Sequence, residues 1–431
     1  MKNPSLADYH EAMRQCVKCG ACQAKCPTYR LTRREGAVAR GKIALASALA
    51  DGEIAMENAL LRDLDFCLLC GGCATACPNA VPTPEIVAAV RREISAQRGF
   101  SPLTRGIARL TASPKLLKMA ARMAAAGETL APGIVAKRIP EESGLRLRLP
   151  KAMAGRLLPQ IPRRNLFDRL PEKIAGQPGK PTIGFFAGCG LTYLFPHVGE
   201  MAVHLLNRLG YSVLFPKNQG CCGIPATSCG DGAAVERLAA RNVNAFAGAD
   251  IIVTACASCY SGIGAYRAMG AADFSGKTVE FCDFIVRERL QDILFAEKKD
   301  GADGNSPAPW RRVTWHDPCH LKRHGLTAAP RKILANLPGI DFIEMAGASL
   351  CCGLGGSFSL KHYDASKAIG AAKIPGLQAS EAELVITSCP GCLVQLQDTI
   401  SRAGLNIRVA HVVEVLADAT AGKYSLKSGQ V

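Results

Sequence analysis

Apolar positions fall into three regimes along the chain. In the first hundred residues they recur at helical spacing. Arg40 to Leu49 and Glu57 to Asp65 mix Ala, Leu and Met without a β-branched run, and Glu85 to Gln97 follows Pro84 and stops before Gly99. These stretches predict helices. Leu103 to Ala126 keeps the helical spacing and breaks at Ser113-Pro114. From Pro132 to Pro181, recurrent prolines and scattered arginines leave no periodic run. That predicts a connector, a strap over the flanking domains rather than a domain of its own.

After Pro181 short apolar runs alternate with amphipathic stretches, twice over. In the first pass, strands are predicted at Thr182 to Ala187, Ser212 to Phe215 and Asp250 to Thr254, with helices at Val198 to Leu209, Ala233 to Ala247 and Phe281 to Leu294. In the second, strands fall at Val313 to Trp315, Asp341 to Met345 and Leu384 to Thr387, with helices at Arg331 to Leu337, Ala365 to Ile374 and Val412 to Ala417. Alternating strands and helices predict parallel α/β sheets. Ala296 to Pro309, rich in Gly, Asp and Lys, reads as the linker between the two. The expected organisation is an α-helical module over 1–100, a basic Pro-rich connector over 101–180, and α/β repeats over 181–295 and 310–418.

The cysteines decide what these units are for. Each repeat carries one pattern. It is Cys189, Cys221-Cys222-Gly223 and Cys256-x-x-Cys259 in the first, and Cys319, Cys351-Cys352-Gly353 and Cys389-x-x-Cys392 in the second. In both, 31 residues separate the lone Cys from the pair. Every set follows the carboxyl end of a predicted strand, where open α/β sheets bind ligands. Thiolates select iron–sulfur clusters, zinc or cuprous ions, and five per repeat exceed the four of a tetrahedral zinc site. Adjacent side chains of an extended segment point apart, so the backbone must turn at each Cys-Cys pair. Gly223 and Gly353 make that turn cheap and are expected to let the backbone approach the metal, or else to be plain turn glycines.

The helical module carries a different run, also twice: Cys16-x-x-Cys19-x-x-Cys22-x-x-x-Cys26-Pro27 and Cys67-x-x-Cys70-x-x-Cys73-x-x-x-Cys77-Pro78. In the bacterial ferredoxin run the fourth Cys ligates the other cluster. One [4Fe–4S] cluster is therefore expected on Cys16, Cys19, Cys22 and Cys77, and another on Cys67, Cys70, Cys73 and Cys26. Zinc ribbons prefer paired CxxC units over triplets followed by Cys-Pro. Of the remaining cysteines, Cys229 and Cys282 read as small buried hydrophobes. His316 and His320 flank Cys319, where imidazoles can hydrogen-bond a sulfur, relay a proton or cap the loop.

Composition narrows the partners. Aromatics are 6% of the 431 residues, which argues against a stacking surface for nucleic acid. Met1 to Gln15 is polar, without the apolar core of a signal peptide, so the expected compartment is the reducing cytoplasm, where cysteine clusters mean metal or catalysis. The uncharged run from Pro181 to Gly199 is interrupted by glycines and prolines and reads as strand and loop, not as a membrane span. The net charge is +16, and 15 Lys and Arg against 5 Asp and Glu lie between Leu103 and Lys173. Such a segment meets an acidic partner or an anionic membrane surface, or is a solvated linker face. No dinucleotide fingerprint, P-loop, H-E-x-x-H or G-x-S-x-G motif occurs.

The helical insert between the ferredoxin motifs resembles the α-helical ferredoxin module of respiratory dehydrogenase iron–sulfur subunits. The repeated Cys…CCG…CxxC pattern, the box Trp315-His316-Asp317-Pro318-Cys319-His320 and the run Cys351 to Phe358 resemble the cysteine-rich CCG family. Its members include heterodisulfide reductase, lactate-utilisation proteins, the anaerobic glycerol-3-phosphate dehydrogenase C subunit and the glycolate oxidase iron–sulfur subunit. The last resemblance spans nearly the whole chain. It implies an electron-transfer subunit with two [4Fe–4S] clusters, one further iron–sulfur cluster per CCG repeat, and no flavin or nicotinamide of its own. A partner FAD-dependent dehydrogenase would oxidise glycolate or D-lactate and pass electrons on to a quinone or another carrier, with the chain peripheral at the inner face of the plasma membrane. Two alternatives follow from the same resemblance: a heterodisulfide-reductase-type catalytic subunit, whose clusters cleave a disulfide, and a glycerol-3-phosphate dehydrogenase subunit.

Overall fold

The computed structural model describes residues 1–56, 58–130, 147–148, 156–292 and 310–420. The expected linker Ala296 to Pro309 and much of the Pro-rich connector lie outside them.

The amino-terminal module is helical. The helices Ala39–Ala50, Asn58–Asp65 and Thr83–Arg98 enclose a small core of Leu6, Met13, Ile43, Ala46, Leu64, Ile86 and Val90. The last helix ends at Gly99, whose φ of 72° is a left-handed stop. Its first half is buried nearly all round, because it also faces the first repeat. Arg91 explains the joint. Its guanidinium donates to the carbonyls of Asp65 and Cys67 within the module, at 2.8 and 2.7 Å, and to Ser228 of the first repeat, at 3.1 Å. Hydrogen bonds to a charged group contribute roughly 1.5–3 kcal/mol each, so one side chain clamps the cysteine loop to its neighbour.

The connector begins as two helices, Pro102–Ala112 and Pro114–Leu130. They break where the sequence does, because Pro114 forces Ser113 into an extended conformation. Further on, the Arg156 guanidinium donates to Ser359 and Gln395, and the Leu157 N–H donates to Asp398 at 2.9 Å, all in the second repeat. Lys173–Ile174 then pairs antiparallel with Ser212–Leu214. The sheet of the first repeat is therefore parallel except for one edge strand that the connector lends it.

The two repeats share one strand plan. The first sheet runs Lys173–Ile174, Ser212–Leu214, Thr182–Phe185, Ile251–Thr254, Thr278–Glu280. The second runs Asp341–Phe342, Arg312–Trp315, Leu384–Thr387, Arg408–His411. Central strands are buried on both faces, as in Leu384–Thr387, which suits parallel sheets covered by helices. Thr278–Glu280 and Arg408–His411 were not expected as strands. Both repeats contribute to one continuous apolar core. Their carboxyl edges meet, with the Ala257 N–H donating to the Ser388 carbonyl at 3.0 Å and the helix Ala257–Gly264 lying on Cys319–Arg323.

The helical module docks on the second repeat through the end of its helix Asn58–Asp65. Asp65 accepts from Lys361 at 2.8 Å and lies 3.1 Å from His362, Phe66 meets Phe358, and Arg323 pairs with Glu85. Burial works to raise the Asp65 carboxyl, but the His362 bond and the charges of Arg91 and Lys361 hold it well below the usual carboxylate range.

Candidate metal centres

The two ferredoxin loops are wound alike. Lys18 and Gly20 flank Cys19 with positive φ of 56° and 88°; Leu69 and Gly71 flank Cys70 with 54° and 76°. Alternating hands of this kind turn successive amides inward, the arrangement that receives an anionic group. Cys26, just before Pro27, is extended as a pre-proline residue must be, and starts the helix Pro27–Thr32. One cavity is lined by Cys16, Cys19, Cys22, Cys73 and Cys77. A second is lined by Cys26, Cys67, Cys70 and Cys73. Lys42 is buried beside the second, its Nζ donating to the Gly36 carbonyl at 2.7 Å. Burial pulls its pKa down while the thiols of Cys67 and Cys26 pull it up. A cation in that place offsets the negative charge of a thiolate-held cluster, and its sequence position gave no sign of it.

In the α/β repeats the ten pattern cysteines do not form two isolated sets. In the first repeat the Cys189 and Cys221 sulfurs are 3.6 Å apart, Cys222 lies against Cys221 and Cys259, and Cys259 lies against Cys256. In the second, Cys319 lies against Cys351, Cys351 against Cys352, the Cys352 and Cys392 sulfurs are 3.5 Å apart, and Cys392 lies against Cys389. Cys256 and Cys389 face one another across the boundary. Beyond the far end, Cys70 of the ferredoxin module lies in the same small cluster as Cys351. The thiols make one run from Cys189 to the module.

Within this run every third thiol is made more acidic and its neighbours are raised. Hydrogen bonds from Cys221 and Cys259 push Cys222 down to about 5. Cys351, bonded by Cys319 and Cys352, and Cys389, bonded by Cys256 and Cys392, are also held well below the ordinary thiol value. Cys256, Cys259, Cys319 and Cys392 are raised. Buried thiolates need a counter-cation, and soft sulfur donors in contact are what iron–sulfur clusters take. The donor set fits the group.

The pair glycines serve a backbone purpose. Gly223 and Gly353 have φ of 95° and 97°, which only glycine adopts freely, and a Cβ on Gly353 would lie 2.4 Å from the Ser366 carbonyl. Gly188 also leaves room at the site, since a Cβ there would lie 2.5 Å from the Cys259 sulfur. Cys229 and Cys282 are buried outside the run. In the Trp-His-Asp-Pro-Cys-His box, Asp317 accepts from the Trp315 indole at 2.7 Å and from Arg331, which fixes the loop. His320 Nδ1 is 2.9 Å from Ser258 Oγ, itself 3.3 Å from the Cys389 sulfur. Burial pushes His320 down to about 4. His316 is fully buried beside Cys352 and Cys392, and burial holds it well below the ordinary histidine value.

Among known proteins, the cysteine-rich domain family matches residues 183–264 and 313–397, and the 4Fe-4S dicluster domain family matches residues 12–81. The probable glycolate oxidase iron-sulfur subunit of Bacillus subtilis is 28% identical, over 95% of this chain and 94% of that one. A subunit of the fumarate reductase (CoM/CoB) of Methanothermobacter marburgensis is 27% identical, over 95% of this chain and 73% of that one. Lactate utilization protein A of Geobacillus kaustophilus is 33% identical, over 54% of this chain and 98% of that one. With a dicluster module ahead of two cysteine-rich domains, the chain belongs to the glycolate oxidase and lactate utilization family of iron–sulfur electron-transfer subunits.

Proposed function

We propose that this chain carries electrons from a flavoprotein that oxidises a 2-hydroxy acid, glycolate or D-lactate, towards a quinone or another carrier. The observation that carries the reading is the unbroken run of thiols from Cys189 through the Cys256–Cys389 contact to Cys351, with Cys70 beside it. Four clusters fit the donor sets: one on Cys16, Cys19, Cys22 and Cys77, one on Cys26, Cys67, Cys70 and Cys73, and one on the five thiols of each repeat. Bound there, they supply one-electron chemistry. Hydride removal from an alcohol needs a flavin or nicotinamide and is assigned to the partner. The protein's own groups hold the thiolates, turn amides towards them and keep water out.

Both ends of the run approach the surface. Cys19 is exposed in the module. At the other end a cleft between the connector helix and the first repeat is lined by Pro114, Leu117, Tyr193, Cys189 and Cys221. The helix Pro114–Leu130 exposes Leu116, Met119 and Met123 at helical spacing, among Lys115, Lys118 and Arg122. No described helix is long and apolar enough to cross a membrane. A basic amphipathic helix suits docking at an anionic membrane surface, close to a quinone.

A second reading, disulfide reduction at the repeats, is favoured by the complete ten-cysteine set and by the contact between the two sites. One experiment separates them. Flavin-free protein, purified without oxygen, is given glycolate or D-lactate and a dye, with and without the flavoprotein, on anionic vesicles at low and high salt. Dye reduction only with the flavoprotein, and vesicle binding that weakens with salt, are expected. Turnover by the chain alone, or reduction of an added disulfide by it, would sink the relay reading.

A further inference from the structure

His316 and Phe186 hold the same place in their repeats. Each follows the strand that precedes the lone cysteine, and each donates its N–H to the neighbouring strand at 2.9 Å, Phe186 to Val253 and His316 to Ile386. In the first repeat the position is a core phenyl ring, fully buried. In the second it is an imidazole, equally buried, whose ring nitrogens make no hydrogen bond of good geometry; only the Ala348 backbone acts on the ring as a partner. The Ala348 backbone can serve one ring nitrogen at most; a buried polar group left unpaired costs about 1–3 kcal/mol, so the other nitrogen calls for a partner in the site itself. A ring nitrogen lies within 4.8 Å of the sulfurs of Cys352 and Cys392. His320, the other histidine of the box, faces Ser258 instead.

We propose that His316 supplies a nitrogen ligand to the iron–sulfur centre of the second repeat. That centre is then a mixed sulfur–nitrogen one, while the first is all thiolate. The inference rests on reading the repeats as cluster sites. One ring nitrogen gives its lone pair to iron and the other keeps its proton, so the ligand is neutral. A neutral imidazole in place of an anionic thiolate leaves the centre less negative and easier to reduce, as in the two-iron centres that carry histidines. It also makes one of the five thiols dispensable, because a four-iron cubane offers four corners.

The test uses the full chain, grown with ¹⁵N-histidine and purified or reconstituted without oxygen, with iron and sulfide counted on the same sample. Pulsed EPR of the reduced centres is expected to show the coupling of a directly bound histidine nitrogen in one centre only. The coupling should change with the isotope and vanish in His316→Phe and in His316→Cys, the latter retaining its iron. The isotope comparison on the unaltered chain does not depend on a variant folding. Clusters present in the second repeat without such a coupling, or the same coupling in His316→Phe, would overturn the proposal. Iron that accounts for the helical module alone would instead overturn the cluster reading of the repeats, and the proposal with it.

Discussion

Where the first repeat has Phe186, Asn242 and Glu280, the second has His316, Lys373 and His411. The cysteines keep one spacing and one strand plan. The residues behind them do not. Asn242 holds the loop into its Cys-Cys pair as a neutral amide, accepting from the Gly220 N–H at 2.8 Å and donating to the Cys221 carbonyl at 3.0 Å. Lys373 holds the matching loop as a cation, with its Nζ on the carbonyls of Gly347, Leu350 and Ala348. It is 1% exposed, and burial pushes it down to about 8 against the pull of Cys352, Cys351 and Cys392. Glu280 and His411 share a register, paired with Thr254 and Thr387 respectively. Thiols fix where metal sits; the residues behind them set its charge and so its potential.

The comparison breaks most visibly at the cysteine pairs. Cys222→Ser removes the sulfur that lies between Cys221 and Cys259, and is expected to cost the first-repeat centre outright. Cys352→Ser, with His316 beside it, should keep most of its iron. Equal loss in iron and sulfide analysis would mean that the two sites are equivalent. A smaller effect is expected at Lys373. Removing a buried cation disfavours the reduced state, so Lys373→Met should lower the reduced fraction of the second centre at fixed potential about tenfold, roughly 59 mV for one electron. Asn242→Leu should leave the first centre nearly unmoved in the same EPR titration.

The smallest effect concerns Glu280. Burial raises its carboxyl to about 8 against the pull of the Asp283 and Cys282 amides. The folded chain holds this proton more tightly than the unfolded one. Its contribution to stability is therefore full below the ordinary carboxylate pKa and lost as pH rises towards about 8. Glu280→Gln should flatten that alkaline decline in anaerobic thermal unfolding. An unchanged slope would mean that Glu280 is ionised in the folded chain.

Much of this was legible in the sequence because cluster chemistry demands one residue type at fixed spacings, and because each set follows a short apolar run. Ile251–Thr254 and Leu384–Thr387 are visible for that reason. The edge strands Thr278–Glu280 and Arg408–His411 are not, since three or four residues with charged ends carry no apolar signal. The helices Ala257–Gly264 and Pro390–Arg402 were missed because Gly, Ser, Cys and Pro crowd their starts. Arg91 and Lys373 lie more than 20 residues along the chain from the carbonyls they hold, and Lys42 borders a cavity that Cys67 lines; only packing brings them there. The Cys256–Cys389 contact is likewise a product of how two domains meet, which no local pattern encodes.

That contact carries the central claim, a single relay in which the second repeat lies between the helical module and the first repeat. The direct measurement is rapid-freeze EPR of the chain reduced by its flavoprotein, in the unaltered protein and in Cys389→Ser/Cys392→Ser. The account predicts that electrons reach the first-repeat centre quickly in the former, and that in the latter they stop at the helical module while the first-repeat centre, still present by iron analysis, stays oxidised. Unchanged reduction of the first-repeat centre in the double variant would contradict it.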